Sequence, residues 1–381
     1  MKSMTDFKDK ALRRHKQLRG KISMQLKSPI KNREDLSIYY TPGVAAVSDY
    51  VVKHPDEARD YTWLNNSVAV VSDGSAVLGL GNIGPYGALP VMEGKCMLFK
   101  HFGGIDAVPI VLDVHSADEI VAVTKAIAPS FGGINLEDIA APICFEVETR
   151  LKKDLPIPVM HDDQHGTAIV VMAGLINATK LVGKQLKDCK IVITGAGAAG
   201  VAITKLLYKY AKPEIVAVDS KGVIHSGRDN LNESKLKLLE LTNPKDVRGS
   251  LTDAIKNADI FIGVSRPGLL SPAMVRSMAK DSIVFAMANP VPEIMPDKAK
   301  AAGAAIVATG RSDFPNQVNN ALAFPGIFRG ALDHNVRDIT EEHKIATAKV
   351  IAELVKNPSV DEIIPSLDDK RLVPAIAKVI K

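Results

Sequence analysis

Apolar residues in the second half of the chain alternate between two periods. Residues 190–194 form an apolar run of strand length, and a glycine-rich turn follows. Ile203, Leu206, Leu207 and Tyr210 then recur at i, i+3, i+4 and i+7 until Lys212 and Pro213 close the segment. A second apolar run at 215–218 ends on Asp219, and others follow at 260–264, 283–286 and 304–308, separated by stretches of helix length. Strands alternating with helices in this way predict a doubly wound parallel sheet. In the first 160 residues, 67–72 and 108–114 read as buried strands, and 118–130 carries Ile120, Val123 and Ile127 at helical intervals. The pattern predicts an α/β protein of two domains. One is a mixed α/β domain over 1–160; the other, over 161–381, contains the parallel sheet and C-terminal helices, with the boundary beside the Pro-rich segment 155–158.

Composition narrows the partners rather than the fold. At about 100–200 residues per domain, 381 residues allow two substantial cores without disulfide or metal staples. A net charge of +5 and 5% aromatic residues are too little for a nucleic-acid surface. Cys96, Cys144 and Cys189 form no CxxC pair, which argues against a disulfide framework or structural zinc and for a reducing, cytoplasmic setting. No apolar run reaches the ~18 residues of a membrane helix; the stretch 168–176 is interrupted by Asn177. The basic N-terminus carries Asp6 and Asp9 and no apolar signal core, so a solvated helix is expected there rather than a targeting peptide.

Candidate chemistry concentrates at strand ends. Gly195-Ala196-Gly197-Ala198-Ala199-Gly200 lies between a strand and a helix, with the acidic Asp219 ending the next strand about 20 residues on. Gly195 would make the tight turn, Gly197 would admit a pyrophosphate, and Gly200 would let helix pack on strand, with Ala198 and Ala199 at the helix start; this is the dinucleotide pattern of a Rossmann-like domain. Asp219 favours NAD by accepting ribose hydroxyls, while Lys221 and Arg228 close behind could serve the 2′-phosphate of NADP.

Two acidic pairs follow a glycine turn and an apolar run, Glu137-Asp138 and Asp162-Asp163. Converging carboxylates would suit a hard divalent cation, Mg²⁺ or Mn²⁺; separately, each pair could equally serve as helix caps. Tyr39-Tyr40-Thr41-Pro42 and Gly94-Lys95 carry groups able to move protons, although a Tyr near Pro is ordinarily packing and a Lys after Gly ordinarily surface. Asn289 ends a strand, and Asn319-Asn320 precedes Phe324-Pro325-Gly326; such amides can bind a carboxylate or cap a turn.

Together these segments resemble the malic enzymes of the short bacterial and archaeal type. The likeness extends from about Ala11 to the helices after Phe328, through Tyr39 to Ala45, Ser72-Asp73-Gly74, Leu78-Gly79-Leu80-Gly81, Gly94-Lys95, Phe131 to Ile139, His161 to Ala168, the glycine triplet, Ala288-Asn289-Pro290 and Asn319-Asn320. The resemblance implies a homodimer that oxidises malate to oxaloacetate and decarboxylates it to pyruvate. It implies Glu137, Asp138 and Asp163 as metal ligands, Lys95 as general base, Asp162 as its orienting partner and Tyr40 as general acid. Asn289 and Asn320, with Asn319 beside them, would hold malate, with Lys95 and Asn289 facing substrate and coenzyme. Two positions depart from the family. The Arg that longer family members carry near Ser75-Ala76 is absent, leaving Arg311, Arg329 or a main-chain amide to replace it, and Asn82 stands where relatives commonly carry Asp. A dehydrogenase that stops at oxaloacetate, and a nucleotide sensor without turnover, are the competing readings.

Overall fold

A computed structural model describes residues 4–77 and 80–381; Leu78 and Gly79 of the glycine-rich stretch lie outside them. Four parallel strands, β1 (Ser67–Ser72), β2 (Asp106–Val111), β3 (Gly133–Leu136) and β4 (Val159–His161), form one sheet in the order β2-β1-β3-β4. A second sheet has the order β10-β9-β8-β5-β6-β7. It contains β5 (Lys190–Thr194), β6 (Glu214–Asp219), β7 (Gly222–Val223), β8 (Ile260–Gly263), β9 (Ile283–Ala286) and β10 (Ile306–Thr309). All its pairings are parallel except β6 with the two-residue β7.

The central strands are apolar on both faces because helices cover both. On β1, Val68 and Val70 join a core with Met92, Phe99, Phe324 and Phe328, while Ala69 and Val71 join another with Ile120, Ile134 and Leu136. On β5, Ile191 and Ile193 belong to the first of these cores and Val192 to a third. The first core therefore spans both sheets. Helix Asp162–Leu181, buried from Ala168 through Leu175, runs between them and carries no consistent polar face, as a helix enclosed by two layers requires.

The parallel α/β architecture is as the periodicity predicts; β3 and the two-residue β7 go beyond it, while β4 is the end of the run that precedes Asp162-Asp163. Four residues of β3 and two of β7 are too short for an alternation to register. The glycines that head β3 read as a turn but serve close packing. A Cβ on Gly132 would sit 2.0 Å from the Leu64 carbonyl oxygen, and one on Gly133 would lie 3.2 Å from the Phe328 ring. The run expected at 118–130 is a helix over Ala117–Ile127 finished by a 3₁₀ turn, started by a reciprocal Ser116–Glu119 capping box. Among the described residues, no helix is long and apolar enough to cross a membrane.

Candidate active site

The acidic pairs meet because of strand register. Leu136 pairs with His161 across β3 and β4, so Glu137 and Asp162 are the next residues on neighbouring strands, followed by Asp138 and Asp163. Adjacent side chains of a strand point to opposite faces. The backbone at Asp138 escapes that rule by entering the left-handed region, φ 53°, which Asp tolerates better than most residues. Carboxylate oxygens of Glu137, Asp138 and Asp163 consequently lie within 4.8 Å of one another. Asp163 Oδ2 also accepts the Asp138 N–H at 2.7 Å, tying the two strand ends together.

Lys95 enters from helix Gly84–Gly103 and is only 8% exposed. Its Nζ donates to Asp162 Oδ2 at 2.7 Å and pairs with Glu137 Oε1 at 2.8 Å, with the Phe324 ring centroid 4.3 Å away. Burying an ammonium alone costs several kcal/mol, which two contacting carboxylates offset. Burial alone would lower the Lys95 pKa, but the charges of Asp162, Glu137 and Asp163 outweigh it and raise it above the ordinary lysine range. Burial raises Glu137 and Asp162 above the ordinary carboxylate range, in part opposed by Lys95 and reinforced by neighbouring acids. Helix Asp162–Leu181 makes room for the Asp162 carboxylate at Gly166, where a Cβ would lie 1.9 Å from Asp162 Oδ1 and 3.0 Å from the Asn320 Cβ. Asn320 is thereby brought beside the cluster.

The residues present fit a divalent cation. All three converging donors are hard oxygens, the set that selects Mg²⁺ or Mn²⁺ over softer ions. Around them Asp162 Oδ1, Asn135 Oδ1 and both ring nitrogens of His161 are buried without a hydrogen-bond partner, polar atoms of the kind that ordinarily find one. The glycine turn fits a dinucleotide equally well. Helix Ala198–Ala211 presents its first N–H groups at Ala198, Ala199 and Gly200, and the space above Gly197 is open. A Cβ on Gly200 would lie 1.7 Å from the Gly195 carbonyl oxygen, so only glycine lets the helix start so close to the strand end.

Several expected groups are placed differently. Tyr40 is 64% exposed, and none of the interactions of Lys95 involves it. The reason is local: helices Arg33–Tyr39 and Gly43–Lys53 bury no residue. Asp219 is not waiting for a ligand. Arg228 grips it at 2.9 and 3.0 Å, Lys235 at 2.7 Å and the Lys221 N–H at 2.8 Å. Burial opposes its ionisation, but the hydrogen bonds from Arg228 and Lys235 win and hold its pKa at about 2. Asn319 uses its Oδ1 to cap the short helix that begins at Asn320, accepting the Ala321 N–H. Asn289 is exposed beside Gly310.

Of the candidate replacements for the missing Arg, Arg329 is engaged by Asp333, Asn66 and the Gly103 carbonyl at the opposite end of β1. Arg311 lies next to Asn289, donating to the Pro290 carbonyl and to Asp313. Ser75 braces the acidic turn: its hydroxyl donates to Asp73 and accepts the Ala140 N–H. Asn82 Oδ1 accepts the Gly84 N–H ahead of the Lys95 helix, a contact an Asp would make equally.

Sequence reasoning passed over Asn135, whose Nδ2 donates to Glu137 Oε2 at 2.9 Å, and Glu148, whose carboxylate reaches the residues flanking Asp162 and Asp163. Glu148 did leave a signal. Cys144, Val147, Glu148 and Leu151 stand at i, i+3, i+4 and i+7 and are all buried, so an acid occupies the apolar stripe.

Comparison with known proteins agrees with this layout. The family described as malic enzyme, N-terminal domain, matches residues 19–119, and malic enzyme, NAD binding domain, matches residues 164–380. The bifunctional malic/malolactic enzyme of Bacillus subtilis is 56% identical over 377 residues, 98% of this chain and 92% of that protein. The NAD-dependent malic enzyme of Geobacillus stearothermophilus is 55% identical, covering 95% of this chain and 76% of that one. The crystal structure of an NAD-dependent malic enzyme from Thermotoga maritima superposes with a TM-score of 0.94 at 49% identity, covering 97% of this chain and 98% of the other. With both family segments present in order and the likeness running nearly end to end, the chain belongs to the malic enzyme family.

Proposed function

We propose that the protein catalyses oxidative decarboxylation of (S)-malate to pyruvate and CO₂ with reduction of NAD(P)⁺. The observation that carries this reading is Lys95 held between Glu137 and Asp162, at the edge of a three-carboxylate centre. Glu137, Asp138 and Asp163 would hold Mg²⁺ or Mn²⁺. Such an ion would supply Lewis acidity to a substrate oxygen, and with Glu137 committed to it Lys95 would keep only Asp162 of its two contacting carboxylates.

Lys95 Nζ accepts the C2 hydroxyl proton as C2 releases hydride to the nicotinamide ring, giving oxaloacetate. Asp162 holds the amine in line, and Phe324 closes its apolar side against water. Asn289 and Asn320 donate amide N–H groups to the carboxylates of malate. After CO₂ leaves, Tyr40 delivers a proton to C3. The Gly195–Gly200 turn and the helix start at Ala198 and Ala199 seat the pyrophosphate. We read the division as one domain over 1–160 and the coenzyme domain over 161–381, in a cytoplasmic enzyme.

Coenzyme preference follows from Asp219. Arg228 and Lys235 are already engaged by its carboxylate, so a 2′-phosphate would meet an ionised acid and two cations already paired with it; this favours NAD. Purified protein with malate and Mn²⁺ is expected to raise absorbance at 340 nm, the wavelength of the reduced coenzyme, faster with NAD than with NADP. Pyruvate should form in equal amount, and EDTA should stop the reaction until Mn²⁺ is restored. Oxaloacetate accumulating without CO₂ would support the dehydrogenase reading instead, and absence of any rise with either coenzyme would remove the enzymatic one.

The uncovered N-terminal stretch supports a homodimer. From Phe7 to Val52 the chain exposes Leu12, Leu18, Met24, Leu26, Ile30 and other large apolar residues, more than an isolated surface ordinarily carries. Tyr40 stands in this same exposed stretch, and we propose that a second copy covering it takes Tyr40 into its own acidic centre. Mixing Tyr40→Phe chains with Lys95→Ala chains is therefore expected to restore activity, because one hybrid site regains both groups. Mixed dimers that stay inactive would place Tyr40 in its own chain's site.

A further inference from the structure

We propose that Glu148 is a positioning residue for the metal centre, acting through the backbone and side chains that flank Asp162 and Asp163. This rests on the reading of Glu137, Asp138 and Asp163 as metal ligands. Glu148 stands on the buried stripe of helix Ile143–Asp154, where a carboxylate is unfavourable unless its oxygens are occupied. They are. Oε1 accepts the main-chain N–H of His161 at 2.9 Å; Oε2 lies 2.8 Å from His165 Nε2 and 3.3 Å from Gln164 Nε2. Because a carboxylate can only accept, His165 carries its proton on Nε2 in this contact.

One carboxylate thus holds the residue before the acidic pair and the two residues after it. Asp163 is fixed on both sides, and its distance to Glu137 and Asp138, which come from a different strand, is set by that grip. Lys344, itself buried, closes the far side, with Nζ 3.5 Å from His165 Nε2 and 2.6 Å from Glu341. A cavity of about 140 Å³ lined by Glu148, His165, Lys205 and Lys344 adjoins the cluster. It gives water a place to enter if the carboxylate is removed, so truncation need not collapse the helix.

The test measures Mn²⁺ binding directly, from the electron paramagnetic resonance signal of free Mn²⁺, alongside NADH binding by fluorescence. Glu148→Ala is expected to raise the Mn²⁺ Kd by about 10- to 100-fold, the range seen when a partner of a metal ligand is lost. NADH affinity should stay unchanged, and most of the malate turnover should return at saturating Mn²⁺. Glu148→Gln, which can still accept from the His161 N–H, should recover most of the loss. If the alanine variant does not fold, Glu148→Asp keeps the charge but withdraws it by one methylene and should raise the Mn²⁺ Kd in the same direction. A folded variant, Ala or Asp, that binds Mn²⁺ as tightly as the parent overturns the proposal, as does equal weakening of Mn²⁺ and NADH. Parent protein that takes up no Mn²⁺ at all removes the metal reading itself, and the proposal with it.

Discussion

Lys95→Ala is expected to lower malate oxidation and the decarboxylation of added oxaloacetate together, by about 10²- to 10⁴-fold, the contribution of a positioned acid–base group. NADH binding should be unaffected, because the glycine turn lies on the other sheet. The substitution also leaves Glu137 and Asp162 facing each other across a buried site without their cation. Breaking a buried ion pair from one side costs about 3–5 kcal/mol. The variant should therefore melt well below the parent in EDTA and recover much of the difference in Mn²⁺, whose charge replaces that of the amine. Near-native turnover in Lys95→Ala would refute the base assignment, and a melting temperature indifferent to Mn²⁺ would refute the electrostatic account.

The second large effect is expected at Gly200. With only 1.7 Å between a prospective Cβ and the Gly195 carbonyl oxygen, Gly200→Ala forces the helix start away from the strand end. Overpacking of this kind costs roughly 1–3 kcal/mol. Because the displaced N–H groups are those that would receive the pyrophosphate, the loss should appear in coenzyme binding, as an NADH Kd raised about 10- to 100-fold. Mn²⁺ affinity should be retained, since the acids follow β3 and β4 of the other sheet. Unaltered NADH binding by a folded Gly200→Ala protein would mean that the turn is packing alone.

How much of this was legible in the chain varies with the kind of signal. The second sheet was readable because β5 and β6 are apolar on both faces and punctuated by Gly195 and Lys212-Pro213. The convergence of Glu137, Asp138 and Asp163 was not readable from spacing. It depends on the pairing of Leu136 with His161 and on a left-handed backbone at Asp138, neither of which leaves a periodic trace. Lys95 read locally as a surface lysine, and only the family likeness pointed inward. Its burial comes from Glu137 and Asp162, which are remote in sequence. The place of Asp219 at a strand end makes it an expected acceptor for ribose; the chain does not reveal that Lys235 folds back onto it with Arg228. Glu148 could have been found, because an acid at i+4 of an apolar stripe must be satisfied by something.

The placement of Lys95 between two carboxylates also bears on how the proposed metal centre would endure scarcity of its ion. A pocket of bare acids would repel itself apart, but here the chain supplies a resident counter-charge, a tethered ammonium seated against two of the acids. Shape and readiness would then persist through depletion. The fold would not need rebuilding when supply returns, because Asp162 would keep the amine in place while Glu137 turned to the ion.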